Sequence, residues 1–112
     1  MHELGIATAI IDIVEKEAAK RSIDRIEEIG LRIGALTCVD PEALRFAFEA
    51  STIDTPLAGA KIAIESVPVR GVCRSCGKTI EIQEYVFVCS HCGASDLDIG
   101  QGEELDVAYI TG

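Results

Sequence analysis

The sequence predicts an α+β fold in which two helices pack on a three-stranded sheet, with a small cysteine-bearing subdomain inserted before the last strand. Three observations lead to this prediction: two segments with the apolar spacing of amphipathic helices, three segments with strand-like alternation, and four paired cysteines late in the chain. The expected domain bounds are 1–68 plus 100–112 for the α+β domain and 69–99 for the insertion.

The two helices have clear sequence signals. The first is predicted from Leu4 to about Lys20, because its apolar residues recur every three or four positions. The second is predicted to begin at Asp40-Pro41-Glu42 and to run to about Ser51. Asp40 can cap the free N–H groups, Pro41 suits the first turn, and Glu42 complements the helix dipole.

Alternation of apolar and other residues predicts the strands of the main sheet at 29–33, 61–67 and 105–109. Inside the insertion, two shorter strands are expected at 79–83 and 85–88, paired as a β-hairpin. The insertion therefore stands between two strands that we expect to belong to one sheet.

The four paired cysteines form two C-x-x-C-G turns, with Cys73 and Cys76 in one and Cys89 and Cys92 in the other. Each turn can direct two thiolates at one point, and four thiolates complete the tetrahedron that zinc prefers. We therefore interpret the insertion as a four-cysteine zinc-ribbon subdomain with a structural Zn²⁺. Iron is the alternative metal, because thiolate tetrahedra also accept it. Two disulfides are not expected, because the sequence has no secretory signal.

Charge and composition exclude several function classes. The net charge is −9, and the seven acidic residues from position 79 onward are accompanied by no Lys or Arg, so nucleic acid is not an expected partner. The N-terminal apolar residues are interrupted by Glu3, Asp12 and Glu15, so no membrane segment is expected. Cysteine usage favours a reducing, cytoplasmic location.

A second candidate metal site lies at the start of the chain, in Met1-His2-Glu3. The amine of Met1, the backbone nitrogen of His2 and its imidazole Nδ1 can close fused chelate rings on one ion, and the Glu3 backbone nitrogen can add a donor. A planar set of nitrogens suits Ni²⁺ or Cu²⁺ better than Zn²⁺. A solvated terminal histidine is the alternative, and Glu3 can instead serve as a first-turn partner of the helix dipole.

Together these motifs resemble the HypA/HybF family of nickel-insertion accessory proteins for NiFe-hydrogenase maturation. The resemblance covers nearly the whole chain. It rests on M-H-E at 1–3, I-G-A-L at 33–36 followed by Asp40, the two C-x-x-C-G turns, and the glycine-rich stretch at 100–105.

The resemblance implies a nickel metallochaperone with two metal sites. Nickel would bind at Met1, His2 and Glu3 with Asp40 close by, and structural zinc would bind at the four cysteines. The implied partners are a HypB-type GTPase and the hydrogenase large-subunit precursor, with urease and its accessory proteins also served in some organisms. The oligomeric state, monomer or homodimer, is left open.

Three residues keep alternative interpretations. Asp40 is explained as a helix cap without any metal. His91 is expected to be an exposed turn residue, the alternative being an approach to a metal. Cys38 is expected to be a small buried apolar side chain, the alternative being a reactive thiol.

Two other function classes are alternatives to the metallochaperone: a four-cysteine iron electron-transfer protein and a zinc-ribbon adaptor. An enzyme is not expected, because the sequence shows neither a nucleophile–base constellation nor a phosphate-binding loop.

Overall fold

The computed structural model describes residues 3–112 of the chain. The secondary-structure elements follow one another as α1 (Glu3–Lys20), β1 (Glu28–Gly34), a 3-10 turn (Ala35–Thr37), α2 (Pro41–Ser51), β2 (Lys61–Val67), β3 (Val69–Cys73), β4 (Thr79–Ile82), β5 (Leu97–Gln101) and β6 (Leu105–Thr111). The six strands form two three-stranded sheets, ordered β2-β1-β6 and β4-β3-β5. The predicted fold class of two helices with a three-stranded sheet and a four-cysteine ribbon is confirmed.

The chain divides into two compact units, each of which is made of more than one segment of the sequence. The first takes in residues up to Arg32, then Val39–Glu65 and Asp106–Gly112, and the second takes in Ile33–Cys38 and Ser66–Leu105. The domain bounds expected from sequence, 1–68 plus 100–112 and 69–99, stay a prediction.

The first unit is built on the buried faces of its two helices. α1 buries one side along its length, and α2 buries Leu44, Ala47 and Phe48. β1 is the central strand of the main sheet, and its Ile29 and Leu31 are almost fully buried. Alternation makes these side chains share one face of the strand. The core of the unit is therefore an apolar layer formed by the faces that the helix and strand patterns predicted.

Gly30 lies on the opposite face of β1. A side chain at this position would collide with the ring of Tyr109, whose hydroxyl donates to the Glu28 carboxylate. The aromatic ring thus covers the backbone of β1 where a glycine leaves room for it. β2 and β6 both belong to this sheet, as expected, and β1 separates them.

The second unit is a ribbon whose central strand is β3. β3 pairs antiparallel with β4, placing Val69 opposite Ile82, and antiparallel with β5, placing Cys73 opposite Leu97. Its core consists of five buried residues: Val69, Cys73, Ile80, Ile82 and Cys89. Two of these five are cysteines, so candidate metal ligands also form part of this core.

The hairpin predicted between 79–83 and 85–88 is wrong in its second strand. β4 ends at Ile82, and 85–88 forms no strand. Glu84 and Tyr85 both have positive φ values, 53° and 60°, which turn the chain away from the extended conformation. β4 pairs instead with β3, which precedes the first cysteine turn, so the apolar residues of 85–88 remain on an exposed loop.

Within the described residues, no helix is long and apolar enough to cross a membrane.

Residues 33–38 belong to the second unit and are held in it by backbone hydrogen bonds at Gly34 and Gly102. The Gly34 N–H donates to the Glu104 carbonyl at 2.7 Å, and the Leu36 N–H donates to the Gly102 carbonyl at 2.8 Å. A Cβ added to Gly34 would overlap the Gly102 backbone, which has no side chain that could move aside. Close backbone approach is therefore the reason for glycine at position 34.

We expect Gly34→Ala to lower the free energy of unfolding by about 1–3 kcal/mol, because it overpacks a backbone contact. Gly100→Ala is the matched control, since a Cβ at this strand glycine meets nothing within 4 Å. Denaturant unfolding of both variants in the metal-loaded form measures the difference. Equal stability of the two variants would contradict the assignment of Gly34 to close packing.

Candidate metal centres

The two C-x-x-C-G turns have the same backbone design. In each, the glycine N–H donates to the carbonyl of the first cysteine: Gly77 to Cys73 at 2.7 Å and Gly93 to Cys89 at 2.9 Å. Both glycines have positive φ, 76° and 78°, the conformation that glycine adopts without strain. Each turn therefore folds back on its first cysteine and brings its two sulfurs together.

The four sulfurs form one compact cluster. The Sγ atoms of Cys73 and Cys92 are 3.6 Å apart, those of Cys76 and Cys89 are 3.7 Å apart, and all four lie within 4.8 Å of one another. A tetrahedron with Zn–S bonds of about 2.3 Å has S–S edges of about 3.8 Å. Disulfide sulfurs would be bonded at about 2.05 Å. The arrangement thus fits a tetrahedral metal and contains no disulfide among these cysteines.

The four cysteines of the cluster differ in solvent exposure. The first cysteine of each turn is buried, Cys73 at 0% and Cys89 at 2% exposure, and the second is exposed. Four protein ligands leave no open coordination position for a substrate, which is typical of a structural rather than a catalytic site.

Backbone N–H groups prepare one sulfur for the thiolate state. The pKa of Cys89 falls to about 6, mainly because the backbone N–H of Cys92 points at its sulfur, with a further contribution from the N–H of His91 at 3.4 Å. The N–H of Ala94 acts in the same sense on Cys92, yet hydrogen bonding to Cys73 and burial raise the pKa of Cys92 to about 11. Backbone N–H donors thus favour the thiolate form of Cys89.

His91 is exposed, as the sequence predicted, and its recorded contact with the cluster is made by its backbone. The described structure gives no support for an imidazole ligand at this position.

An ion-pair brace that sequence reasoning did not identify supports the first turn. The Arg74 guanidinium lies 2.8 Å from an Asp96 carboxylate oxygen and 3.7 Å from one of Asp98, and the Arg74 N–H donates to the Asp96 carbonyl. These carboxylates raise the pKa of Arg74. Arg70 is similarly placed beside Glu81 at 3.5 Å. Cross-strand partners more than ten residues apart leave no local sequence signal.

The candidate nickel site is described only in part. Met1 and His2 lie outside the described residues. Glu3 is the first residue of α1, and one of its carboxylate oxygens accepts a hydrogen bond from the Asp40 backbone N–H at 3.3 Å. The structure therefore places two of the four predicted nickel residues side by side, although 37 positions separate them in the chain.

Asp40 has the capping role that its sequence context predicted. Its Oδ1 accepts from the N–H of Glu42 at 3.0 Å and more weakly from that of Ala43 at 3.5 Å, and its backbone is extended. One carboxylate oxygen accounts for both capping bonds. This explanation of Asp40 does not depend on a metal.

Cys38 is exposed, so the prediction of a buried side chain is wrong. It stands directly after the 3-10 turn in the left-handed conformation, with φ 57°. Its sulfur lies 3.2 Å from the Tyr85 hydroxyl, which also donates to the Ala35 carbonyl at 3.2 Å. The hydrogen bond with Cys38 raises the pKa of Tyr85. Cys38 is not part of the four-sulfur cluster.

Comparison with known proteins gives one consistent result. A family described as "Hydrogenase/urease nickel incorporation, metallochaperone, hypA" matches residues 1–112. The chain is 45% identical over 110 residues to a Geobacter metallireducens protein named hydrogenase maturation factor HypA, covering 98% of this chain and 97% of that protein. It is 42% identical, with the same coverage, to hydrogenase maturation factor HypA 2 of Bradyrhizobium diazoefficiens.

Solved structures with the same fold include the Ni metallochaperone HypA from Helicobacter pylori. The two chains are 24% identical, the match covers 98% of this chain and 96% of the other, and the TM-score is 0.68. A second solution structure of a HypA protein aligns with a TM-score of 0.71 at the same identity. At this level of identity the two structures establish the fold.

We expect Cys73→Ser to abolish metal binding by the ribbon, because it removes a buried thiolate from the tetrahedron. The measurement is metal content per chain after purification without added metal. Cys38→Ser is the matched control, since it removes an exposed thiol outside the cluster and should leave the metal content unchanged. Equal loss of metal in both variants, or in neither, would contradict the four-ligand site.

Proposed function

The chain belongs to the HypA family of hydrogenase and urease nickel-incorporation metallochaperones, and we propose that it carries Ni²⁺ to the large-subunit precursor of a NiFe-hydrogenase. Members of this family are metallochaperones and not enzymes. On this proposal the chain binds nickel at its N-terminus and releases it to the precursor, while the ribbon keeps a second metal for structural purposes.

The observation that carries the proposal is the hydrogen bond between Glu3 and Asp40. This bond connects the start of α1 to the start of α2. Glu3, the residue that follows Met1-His2, is therefore held at a defined place in the fold. The carboxylates of Glu3 and Asp40 offset the positive partial charge of the two helix N-termini, which would by itself disfavour a cation. A nickel ligand set built at this place would be anchored to the fold through Glu3, and its open side would permit transfer.

We assign the nickel ligands to Met1, His2 and Glu3, with Asp40 as a neighbouring carboxylate. The amine, backbone nitrogens and imidazole of these residues form the nitrogen-rich set that suits Ni²⁺. All of these nitrogens must be free of protons to bind, so acid should release the ion.

We assign structural Zn²⁺ to Cys73, Cys76, Cys89 and Cys92. Sulfur–sulfur separations of 3.6 and 3.7 Å support this assignment, because they match the edges of a zinc–thiolate tetrahedron. When bound, the metal would link the two turns and complete the small ribbon core. Ferric iron in the same cage would give strong visible absorption, so a colourless protein distinguishes zinc from iron.

The proposed partners are a HypB-type GTPase and the hydrogenase precursor, with urease maturation as a second destination, and the proposed location is the cytoplasm. The names of the relatives support the hydrogenase destination, and the family description includes urease. The chain contains no G-x-x-x-x-G-K loop, so GTP hydrolysis in the pathway would come from the partner. Free cysteines fit a reducing compartment.

We expect His2→Ala to lose nickel binding and to keep the ribbon metal, because the imidazole belongs only to the terminal site. The measurement is a nickel titration of untagged protein, followed through the d–d absorption of planar Ni²⁺, with zinc determined on the same samples. His91→Ala is the matched control, since its exposed imidazole makes no described contact with the sulfurs. Unchanged nickel affinity and spectrum in His2→Ala would refute the proposed site.

Asp40→Asn separates the capping role of Asp40 from its proposed place beside nickel. Asparagine caps helices about as well as aspartate, so we expect a change in unfolding free energy below about 0.5 kcal/mol. Loss of the carboxylate charge should nevertheless weaken nickel binding in calorimetric titration. The exposed Asp24→Asn is the charge-matched control. If both variants bind nickel as the wild type does, Asp40 is a helix cap alone.

A further inference from the structure

A groove in the first unit runs between α1 and the edge strand β6 and has a volume of about 380 Å³. Its floor is apolar and includes Val14, which is fully buried, and Ile110, which is 8% exposed. Ile13 and Tyr109 stand at its margins and are 54% and 43% exposed. The apolar surface that the groove offers to a ligand is therefore mainly that of Ile13 and Tyr109.

The strand beside this groove has a free edge. The sheet order β2-β1-β6 leaves one side of β6 without a partner strand among the described residues. Exposed edges are usually protected by lysine, proline or inward-pointing charge. β6 carries one charged residue near its start, the exposed Asp106, and residues 107–111, Val-Ala-Tyr-Ile-Thr, contain none of these. An unprotected edge next to an apolar groove is the geometry of β-strand addition, in which an extended peptide extends the sheet.

The charge of the groove selects the ligand. Lys16, Lys20 and Arg21 line it together with a single acidic residue, Glu17, so its rim is positive although the whole chain carries −9. Two of these cations form exposed helical ion pairs, Lys16 with Asp12 at 3.0 Å and Arg21 with Glu17 at 3.3 Å. Exposed pairs of this kind contribute little, so a ligand carboxylate can replace either acidic partner.

We propose that the groove between α1 and β6 binds an extended acidic segment of a partner protein by strand addition to β6. Backbone hydrogen bonds to the free edge would supply affinity, alternate apolar side chains would enter the groove, and acidic residues would pair with the Lys16–Arg21 rim. This docking surface goes beyond the metal sites. Its chemistry is that of a polypeptide, since it combines a backbone edge, an apolar floor and a cationic rim.

The probe for this surface is a fluorescein-labelled peptide, Glu-Glu-Val-Thr-Val-Thr-Val, whose binding is followed by anisotropy with metal-loaded full-length protein. We expect saturable binding that weakens with salt. A Lys-Lys-Val-Thr-Val-Thr-Val peptide should bind more weakly because its charge opposes the rim. A Glu-Glu-Val-Pro-Val-Pro-Val peptide should also bind more weakly because proline removes the backbone donors.

Two protein variants locate the site. Lys20→Glu should weaken binding by about five-fold or more, because it replaces attraction by repulsion at the rim. Lys61→Glu makes the same charge change at the exposed start of the opposite edge strand, β2, and should have little effect. Amide NMR shifts should be concentrated in β6 and in α1 around Ile13. Nickel titration of Lys20→Glu should match the wild type, so failure of this proposal would be distinguishable from failure of nickel binding.

Several results would overturn the proposal. These are equal binding of the acidic, basic and proline peptides, equal effects of Lys20→Glu and Lys61→Glu, or amide shifts confined to the ribbon. Sedimentation showing a dimer that Lys20→Glu dissociates, and that the acidic peptide does not dissociate, would also overturn it, because a second copy of the chain would then occupy the groove.

Discussion

The convergence of four sulfurs is the constraint on which the second unit depends. Apart from the cysteines, the buried cluster around β3 contains Val69, Ile80 and Ile82, and a few partly buried residues pack against it: Leu36, Ala94, Leu97 and Ile99. A cluster of this size buries too little surface to hold three short strands and two turns together. A bound structural zinc contributes on the order of 10–16 kcal/mol in small zinc domains, which is enough to offset the deficit. The ribbon thus has its shape because its ligands meet, and the burial of Cys73 and Cys89 joins that metal centre to the core.

The two proposed metal sites differ in the way a resident metal and a transferable metal should differ. The ribbon site takes four soft thiolates from two rigid turns, and its geometry leaves no open position. The terminal site would use nitrogen donors at the start of α1, where the Glu3–Asp40 hydrogen bond connects two helix N-termini. Thiolate and nitrogen donors differ in the ions they prefer, so on this proposal one short chain would keep zinc in the ribbon and carry nickel at its start.

Local sequence signals predicted the parts of the fold that local chemistry determines. Periodicity identified both helices, Asp40-Pro41 identified the start of α2, and spacing identified the four cysteines whose sulfurs the structure brings together. The predictions that were wrong concern segments whose structure depends on residues distant in the sequence. The apolar run of 85–88 resembled a strand, but β4 pairs with β3 instead, and two positive-φ residues turn the chain.

Long-range contacts at the sites also have no local signal in the sequence. Cys38 looked like a buried residue, because nothing nearby indicates that it meets the Tyr85 hydroxyl. The Arg74–Asp96 brace and the Glu3–Asp40 contact join residues 22 and 37 positions apart. Resemblance to a family brought Glu3 and Asp40 into one hypothesis, and the structure places them in hydrogen-bond contact. Their role as nickel ligands stays a prediction.

X-ray absorption at the zinc and nickel edges of one sample, loaded with one equivalent of each ion, tests the two-site account most directly. If the two sites are separate, the zinc shell consists of four sulfurs at about 2.3 Å. The nickel shell then consists of nitrogen and oxygen donors without sulfur. Sulfur in the nickel shell, or nitrogen replacing sulfur around zinc, would show that the ribbon takes part in nickel binding and would contradict the separation of the two sites.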